Sequence, residues 1–238
     1  MPEFTLSDFS SFKNNGVIQA IGFSLSELYF IAYTGKPGLD VSDSLYSKMS
    51  TKVFADIKDL TLFPLNTEKR TSQNTFAYER KSPDKSTSVS VLQEYMLADL
   101  NRFLGFKSEI QERDVEVLNL IIKDAKKVKK LKSKGSERKV TYYDDKPGNR
   151  IVNLPFQDFI LVSGMTQSLR QVSGVNDGIP TIIDATGINF NIDVDFDADP
   201  TDWQQVLEEL HKNGLDLVKG KAKMMCIVIC DAGNDGTQ

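Results

Sequence analysis

The sequence predicts an α+β fold made of two tandem, duplicated small modules, each with helices packed on a small mixed β-sheet. Three observations carry the prediction. Ile21-Gly-Phe-Ser-Leu-Ser-Glu-Leu-Tyr-Phe-Ile-Ala32 lines up without a gap on Val152-Asn-Leu-Pro-Phe-Gln-Asp-Phe-Ile-Leu-Val-Ser163, apolar on apolar along the run and Glu27 on Asp158. Near the end of each half, an amphipathic stretch meets a glycine and then strand-like residues: Gly105-Phe-Lys-Ser-Glu-Ile and Val115–Ala125 in one, Gly214-Leu-Asp-Leu-Val and Met224–Ala232 in the other. The composition, 40% apolar and 26% charged, suits a chain that buries a core.

The first module is expected over 1–125. A short strand ends at Ser24, which reads as a helix N-cap because Glu27 stands three residues on, the capping-box spacing. Gly35-Lys36-Pro37-Gly38 reads as a turn, since the proline would break a phosphate-cradling helix start. An insert at about 36–74 has helix-like and loop-like parts and no firm assignment. A helix is expected over 88–104, burying Leu92, Met96, Leu100 and Phe103 at helical spacing. The aromatics Tyr29, Phe30, Tyr33, Tyr95, Phe103 and Phe106 read as core residues. Two strands then follow, and each half is expected to run strand, helix, strand, helix, strand, strand.

Residues 126–149 are expected to form a basic linker or hairpin. Lys123–Lys139 holds nine Lys or Arg, and Tyr142–Asn149 is rich in turn formers. A solvated connector is the simple reading. The sharper one is contact with an anionic partner through Lys126, Lys127, Lys129, Lys130 and Lys132.

The second module is expected over 150–238. Pro155 suits a first helical position. Asp184-Ala-Thr-Gly187 looks like an aspartic-protease loop, but Ala185 separates Asp184 from Thr186, and no second copy exists to share a proton. A structural turn built on Asp184, Thr186 and Gly187 is expected instead. Asp193, Asp195, Asp197 and Asp199 begin like a calcium loop, yet Ala198 and Gln204 stand where glycine and glutamate are needed. Their alternation with Ile192, Val194, Phe196 and Ala198 describes a half-buried strand. The next helix is expected over 200–213, with Asp199 as N-cap, Pro200 in the first turn and an apolar stripe of Trp203, Val206, Leu207 and Leu210. His211, near its end, is favoured there by the helix dipole. Cys226 and Cys230, four apart in a strand, lie too far apart to bridge each other and read as small hydrophobes.

Several functions are disfavoured by residue usage. One His and two Cys exclude most zinc, haem and histidine-based catalytic machinery. A net charge of −4 argues against a dedicated nucleic-acid binder. No phosphate loop, dinucleotide fingerprint, nucleophile elbow or zincin motif occurs. No cofactor is expected. No apolar run approaches the roughly 18 residues of a membrane helix. Met1-Pro-Glu-Phe-Thr5 has no signal-peptide pattern, so the expectation is either a cytoplasmic protein or one whose export signal is missing from this chain.

Ile179–Val194, with Pro180-Thr-Ile-Ile-Asp-Ala-Thr-Gly187 at its centre, resembles the signature of an uncharacterised bacterial domain family. Phe76–Pro83, Met96–Lys107, Gly214-Leu-Asp-Leu217 and Ile227-Val-Ile229 resemble further segments of that family, so the likeness spans roughly 17–232. It departs at Asn191, where the family tends to have a basic residue, and in the 36–74 insert. Each half is also similar to the short module found at the N-termini of secretins and TonB-dependent transporters. The family has no assigned activity; its members are often exported and sometimes fused to thioredoxin-like or sensor-peptidase proteins. The resemblance implies a non-enzymatic docking protein of the cell envelope or periplasm, with a protein partner in an outer-membrane or periplasmic complex. Membrane association would come only through that partner or a missing lipid anchor. The alternatives are an accessory of a thiol–disulfide redox system and a binder of anionic surfaces through the basic segment.

Overall fold

Two strands of 17 residues, β4 (Phe106–Ile122) and β9 (Leu215–Asp231), pair antiparallel over their whole length, from Phe106↔Asp231 to Ile122↔Leu215. They span about 55 Å at the usual rise per residue, and every other element is arranged around them. The computed structural model describes residues 16–36, 39, 45–46, 48–58, 75–172 and 180–232.

The elements that precede β4 are β1 (Val17–Phe23), α1 (Leu25–Thr34), β2 (Met49–Asp56), β3 (Phe76–Lys81) and α2 (Val89–Leu104). Between β4 and β9 lie α3 (Ala125–Lys130), β5 (Lys139–Tyr142), β6 (Asn149–Pro155), α4 (Phe156–Val162), α5 (Met165–Val172), β7 (Thr181–Asp184), β8 (Asn191–Phe196) and α6 (Trp203–Lys212). The fold is α+β and rich in strand. A four-stranded sheet has the order β2-β9-β4-β7, with β2 parallel to β9 and β7 parallel to β4. A separate pair, β1-β3, is antiparallel, and β5-β6-β8 form a third sheet.

Two apolar cores lie at opposite ends of the β4–β9 ribbon. The first joins Ile18, Leu28, Tyr29, Ile31, Leu92 and Met96 to Phe106, Ile227 and Ile229. The second joins Ile151, Phe159, Phe196, Val206 and Leu210 to Leu120 and Leu215. Each long strand therefore starts in one core and ends in the other. Between the cores one face of the ribbon stays apolar, where Val115, Val117, Met224 and Cys226 are buried against Phe54, Ile183 and Ala222, and the other is charged, with Asp114 opposite Lys223 and Glu116 opposite Lys221. Opposite charges facing each other across strands stabilise such a stretch.

This corrects the expected order. The paired strands expected after Gly105 and after Gly214 are in each case one continuous strand, because the middle keeps its ladder hydrogen bonds and buries one apolar face, Val115, Val117, Met224 and Cys226, beneath its charged one. The additional strand is found earlier, as β2 and β7, so the sequence of elements is strand, helix, strand, strand, helix, strand. Most of the 36–74 insert lies outside the described residues, but β2 falls within it. Pro37 and Gly38 also lie outside.

Helix ends follow local chemistry. Ser24 caps α1: its hydroxyl accepts the Glu27 amide hydrogen, and the Glu27 carboxylate accepts from the Ser24 amide at 2.8 Å. Pro155 is the N-cap of α4 and not its first residue. The cap of α6 is Asp202, which accepts from the amides of Gln204 and Gln205. Asp199 instead closes a turn on the amide and hydroxyl of Thr201, three residues too early for the expected cap. Among the described residues no helix is long and apolar enough to cross a membrane.

Candidate interaction surfaces

Asp184, Thr186 and Gly187 come together at the end of β7. One Asp184 carboxylate oxygen accepts from the Thr186 amide at 2.9 Å and from its hydroxyl at 2.6 Å. The Thr186 hydroxyl oxygen then accepts from the Ile188 amide, and Gly187 takes φ +67°. The carboxylate serves chain reversal.

The basic segment is partly built into the second core. Asp124 caps α3 by accepting from the amides of Lys126 and Lys127. Val128 and Leu131 are buried. That anchoring turns Lys126, Lys127, Lys129, Lys130 and Lys132 toward solvent. Lys127 donates to the backbone oxygen of His211, and the Lys132 ammonium lies 5.9 Å from the Phe190 ring centre. Further on, β5 pairs with β6 as one arm of a hairpin.

Beside α3, Asp216 sits between His211 and Lys123: His211 Nε2 lies 2.7 Å from its Oδ1, and Lys123 Nζ lies 2.9 Å from its Oδ2. Burial by itself would raise the Asp216 pKa, but the hydrogen bonds and charges of His211 and Lys123 outweigh it and hold the carboxyl below its ordinary value. A depressed carboxyl contributes stability that is present above the unfolded pKa and lost as pH falls through the folded one. Asp216→Asn is therefore expected to cost about 1–2 kcal/mol near neutral pH. Parent and variant should converge in acid unfolding once the pH falls below the lowered folded-state pKa of Asp216.

The aspartate ladder of β8 is a half-buried strand edge, with Ile192, Val194 and Phe196 inside. Its carboxylates are taken by neighbours: Asp193 by the Asn153 amide, Asp195 by the Tyr143 hydroxyl, Asp197 by Lys146. The Asp195 contact and burial push the Tyr143 hydroxyl up to about 12, burial contributing most. Among the described residues no group of three or more side chains is placed to hold a metal ion.

Cys226 is buried and Cys230 half-buried, both as free thiols. Burial pushes both thiols up, and Glu109 adds to the effect at Cys230. Thiolate, the reactive form, is thus scarce near neutral pH. In the folded protein, maleimide is expected to leave Cys226 unmodified and to label Cys230 more slowly than a free cysteine, as read by intact mass.

A surface not foreseen from the sequence lies where α2 crosses β3. Tyr29, Phe30 and Phe106 are core residues, but Phe103 is 75% exposed and Tyr95 39% exposed. Phe103, expected in the core, lies on the last turn of α2, beyond Leu100, where the buried stripe ends. The guanidinium of Arg80, on β3, stacks on Tyr95 at 4.3 Å and pairs with Asp99 at 2.7 Å, while the Tyr78 hydroxyl donates to the same Asp99 oxygen. Arg102 lies 5.0 Å from the Phe103 ring centre. Tyr95, Asp99 and Arg102 are one and two turns apart, so they form a row along the helix. The signal available beforehand was Arg102-Phe103-Leu104-Gly105: an aromatic in the last turn, next to a glycine stop, has little helix left to cover it.

Compared with family models, with curated proteins and with solved structures, the chain matches none.

Proposed function

We propose that this chain is a non-enzymatic docking protein that binds another protein through an open sheet edge, and that its two parts are copies of one α+β module. The observation that carries the docking reading is the β1-β3 pair. It is a two-stranded sheet whose strand β3 has no described partner on its outer side, set beneath the helix row of Tyr95, Asp99 and Arg102 and the exposed Phe103. Unpaired strand edges recruit extended segments through main-chain hydrogen bonds. Tyr, Phe and Arg are enriched where proteins meet.

The duplication is supported by connectivity. β1, α1, β2, β3, α2 and β4 follow the same order as β6, α4, β7, β8, α6 and β9, with α5 added. Both antiparallel pairs, β1 with β3 and β6 with β8, carry a register shift. Both β2 and β7 join the long ribbon in parallel. The resemblance to secretin and TonB-type docking modules supports a place in the cell envelope or periplasm.

In-cell crosslinking, followed by pull-down of the tagged protein from fractionated cells, tests this reading. Recovery of one discrete envelope protein supports it; recovery of the chain alone, in the soluble cytoplasm, overturns it. A second reading, an anionic-surface contact, is favoured by the five lysines that Val128 and Leu131 hold outward. It requires binding to vesicles of anionic lipid that weakens with salt and is lost when those lysines become glutamine. The redox-accessory reading draws least support, because both thiols are pushed toward their neutral form.

A further inference from the structure

We propose that the outer edge of β3 is the docking edge, and that it takes an extended segment of a partner protein bearing an apolar side chain for Tyr95 and a carboxylate for Arg102. This rests on the docking reading and assigns its edge and the chemistry of its occupant.

The phase of the ladder identifies the free groups. The Ser82 amide donates to the Gly16 carbonyl at 2.7 Å, and the register continues through Ile18↔Arg80 and Ala20↔Tyr78. In an antiparallel pair, hydrogen-bonded and non-bonded positions alternate. Tyr78 and Arg80 therefore bond to β1, while the N–H and C=O groups of Ala77, Glu79 and Lys81 point outward. Among the described residues nothing pairs with them.

The other end of the molecule carries a strand of similar setting whose edge is filled. The outer side of β8 is covered by Leu131–Ser133: the Asp193 amide donates to the Leu131 carbonyl at 2.7 Å, and the Ser133 amide to the Asn191 carbonyl at 2.8 Å. Lys132 and Ile192 form an antiparallel bridge there. The chain thus covers one such edge with its own extended backbone and leaves the other uncovered by described residues. An extended segment is the occupant that the β3 edge fits.

Side chains above the edge specify that segment further. Asp99 is committed to Arg80 and Tyr78. Arg102 makes no ion pair with a described residue, and its guanidinium lies against Phe103. A strand added outside β3 would run beneath the Tyr95–Arg102 row, with every second side chain facing it. On the opposite face Glu79 is matched by Lys81 at 3.1 Å and by Gln19 at 2.7 Å, so no net charge is sought there.

The test uses the purified full chain and a phage-displayed library of random ten-residue peptides. Glu79→Pro removes one outward N–H and none of the β1 ladder bonds, and proline is tolerated on strand edges. Glu79→Val removes the same carboxylate and keeps the N–H. The expected result is enrichment of alternating peptides with an apolar and an acidic residue on one face. These should bind parent and Glu79→Val alike and Glu79→Pro at least tenfold more weakly. Arg102→Glu, a surface change independent of the backbone, should shift the preference from acidic to basic residues. Equal binding to parent and Glu79→Pro, an unchanged preference with Arg102→Glu, or no enrichment on the parent would overturn the proposal. A photo-crosslinking residue at Lys81, and in parallel at Tyr142 on β5, separates this from failure of the docking reading. A partner caught at Tyr142 and not at Lys81 removes the β3 assignment and leaves docking intact; none at either position removes both.

Discussion

Phe159→Ala is expected to lower stability by about 3–5 kcal/mol and to do so for both ends of the molecule at once. Phe159 is 1% exposed. Its ring stacks on Phe156 at 5.6 Å and meets Phe196 edge-on at 5.4 Å, so truncation leaves a cavity between two aromatic rings that cannot easily close. Such a loss is a large share of the 5–15 kcal/mol that typically separates folded from unfolded states. The shared consequence follows from the ribbon. β4 buries Phe106 in the first core and Leu120 in the second, and β9 buries Leu215 in the second and Ile227 and Ile229 in the first. Neither core can dissolve without freeing half of each long strand. Trp203, the single tryptophan, packs on the second core and reports that end by fluorescence. Hydrogen exchange at the β1–β3 amides reports the other. Both transitions should move together in denaturant. A first end that stays protected while Trp203 fluorescence reports unfolding would show that the ribbon does not couple them. Phe103→Ala, at an exposed site, should change stability by no more than about 0.5 kcal/mol.

The same ribbon marks the limit of what the sequence made legible. Local patterns were readable where burial is one-sided. The stripe Leu92, Met96, Leu100 identified α2, and the alternation Ile192, Val194, Phe196 identified the strand β8. The capping box at Ser24 and Glu27 marked the start of α1 within a residue. The continuity of β4 and β9 was not readable, because the charged face of Glu112, Asp114, Glu116, Lys221 and Lys223 meets its cross-strand neighbours about 100 residues away, while the apolar alternation of Val115 and Val117 marks only a short strand. Val128 and Leu131 were hidden for a related reason: two apolar residues at helical spacing among lysines look like a solvated run until β8 is placed beneath them. The candidate docking edge is still less local. That β3 is an edge depends on its pairing with β1, some 60 residues earlier, as in the Gln19–Glu79 contact. The turn at Asp184, Thr186 and Gly187 is the contrasting case, since all its hydrogen bonds lie within five residues.

Two glycines that follow helices should respond very differently to the same change. Gly105 caps α2 at φ +69°, and a Cβ there meets nothing within 4 Å. Gly105→Ala is therefore expected to cost only about 1 kcal/mol, the penalty for holding alanine in the left-handed region. Gly214 also has positive φ, +82°, but a Cβ there would lie 2.6 Å from the Asp124 backbone oxygen and 2.8 Å from the Lys127 Cβ. Its carbonyl meanwhile accepts the amide hydrogens of Lys123 and Asp124, at 2.8 and 2.9 Å. The end of β4 and the start of β9 thus cross here with no room for a methyl group, and neither backbone can withdraw without losing these bonds. Gly214→Ala should cost about 2–4 kcal/mol, the left-handed penalty plus overpacking. The strain also has a direction. Asp124 caps α3, so displacing it should release the amides of Lys126 and Lys127, which hydrogen exchange would read as faster opening at those two positions. In Gly105→Ala the same amides should exchange as in the parent. Equal costs for the two variants, with α3 unchanged in both, would mean that Gly214 is needed only for its backbone angle and that the crossing can relax around a side chain.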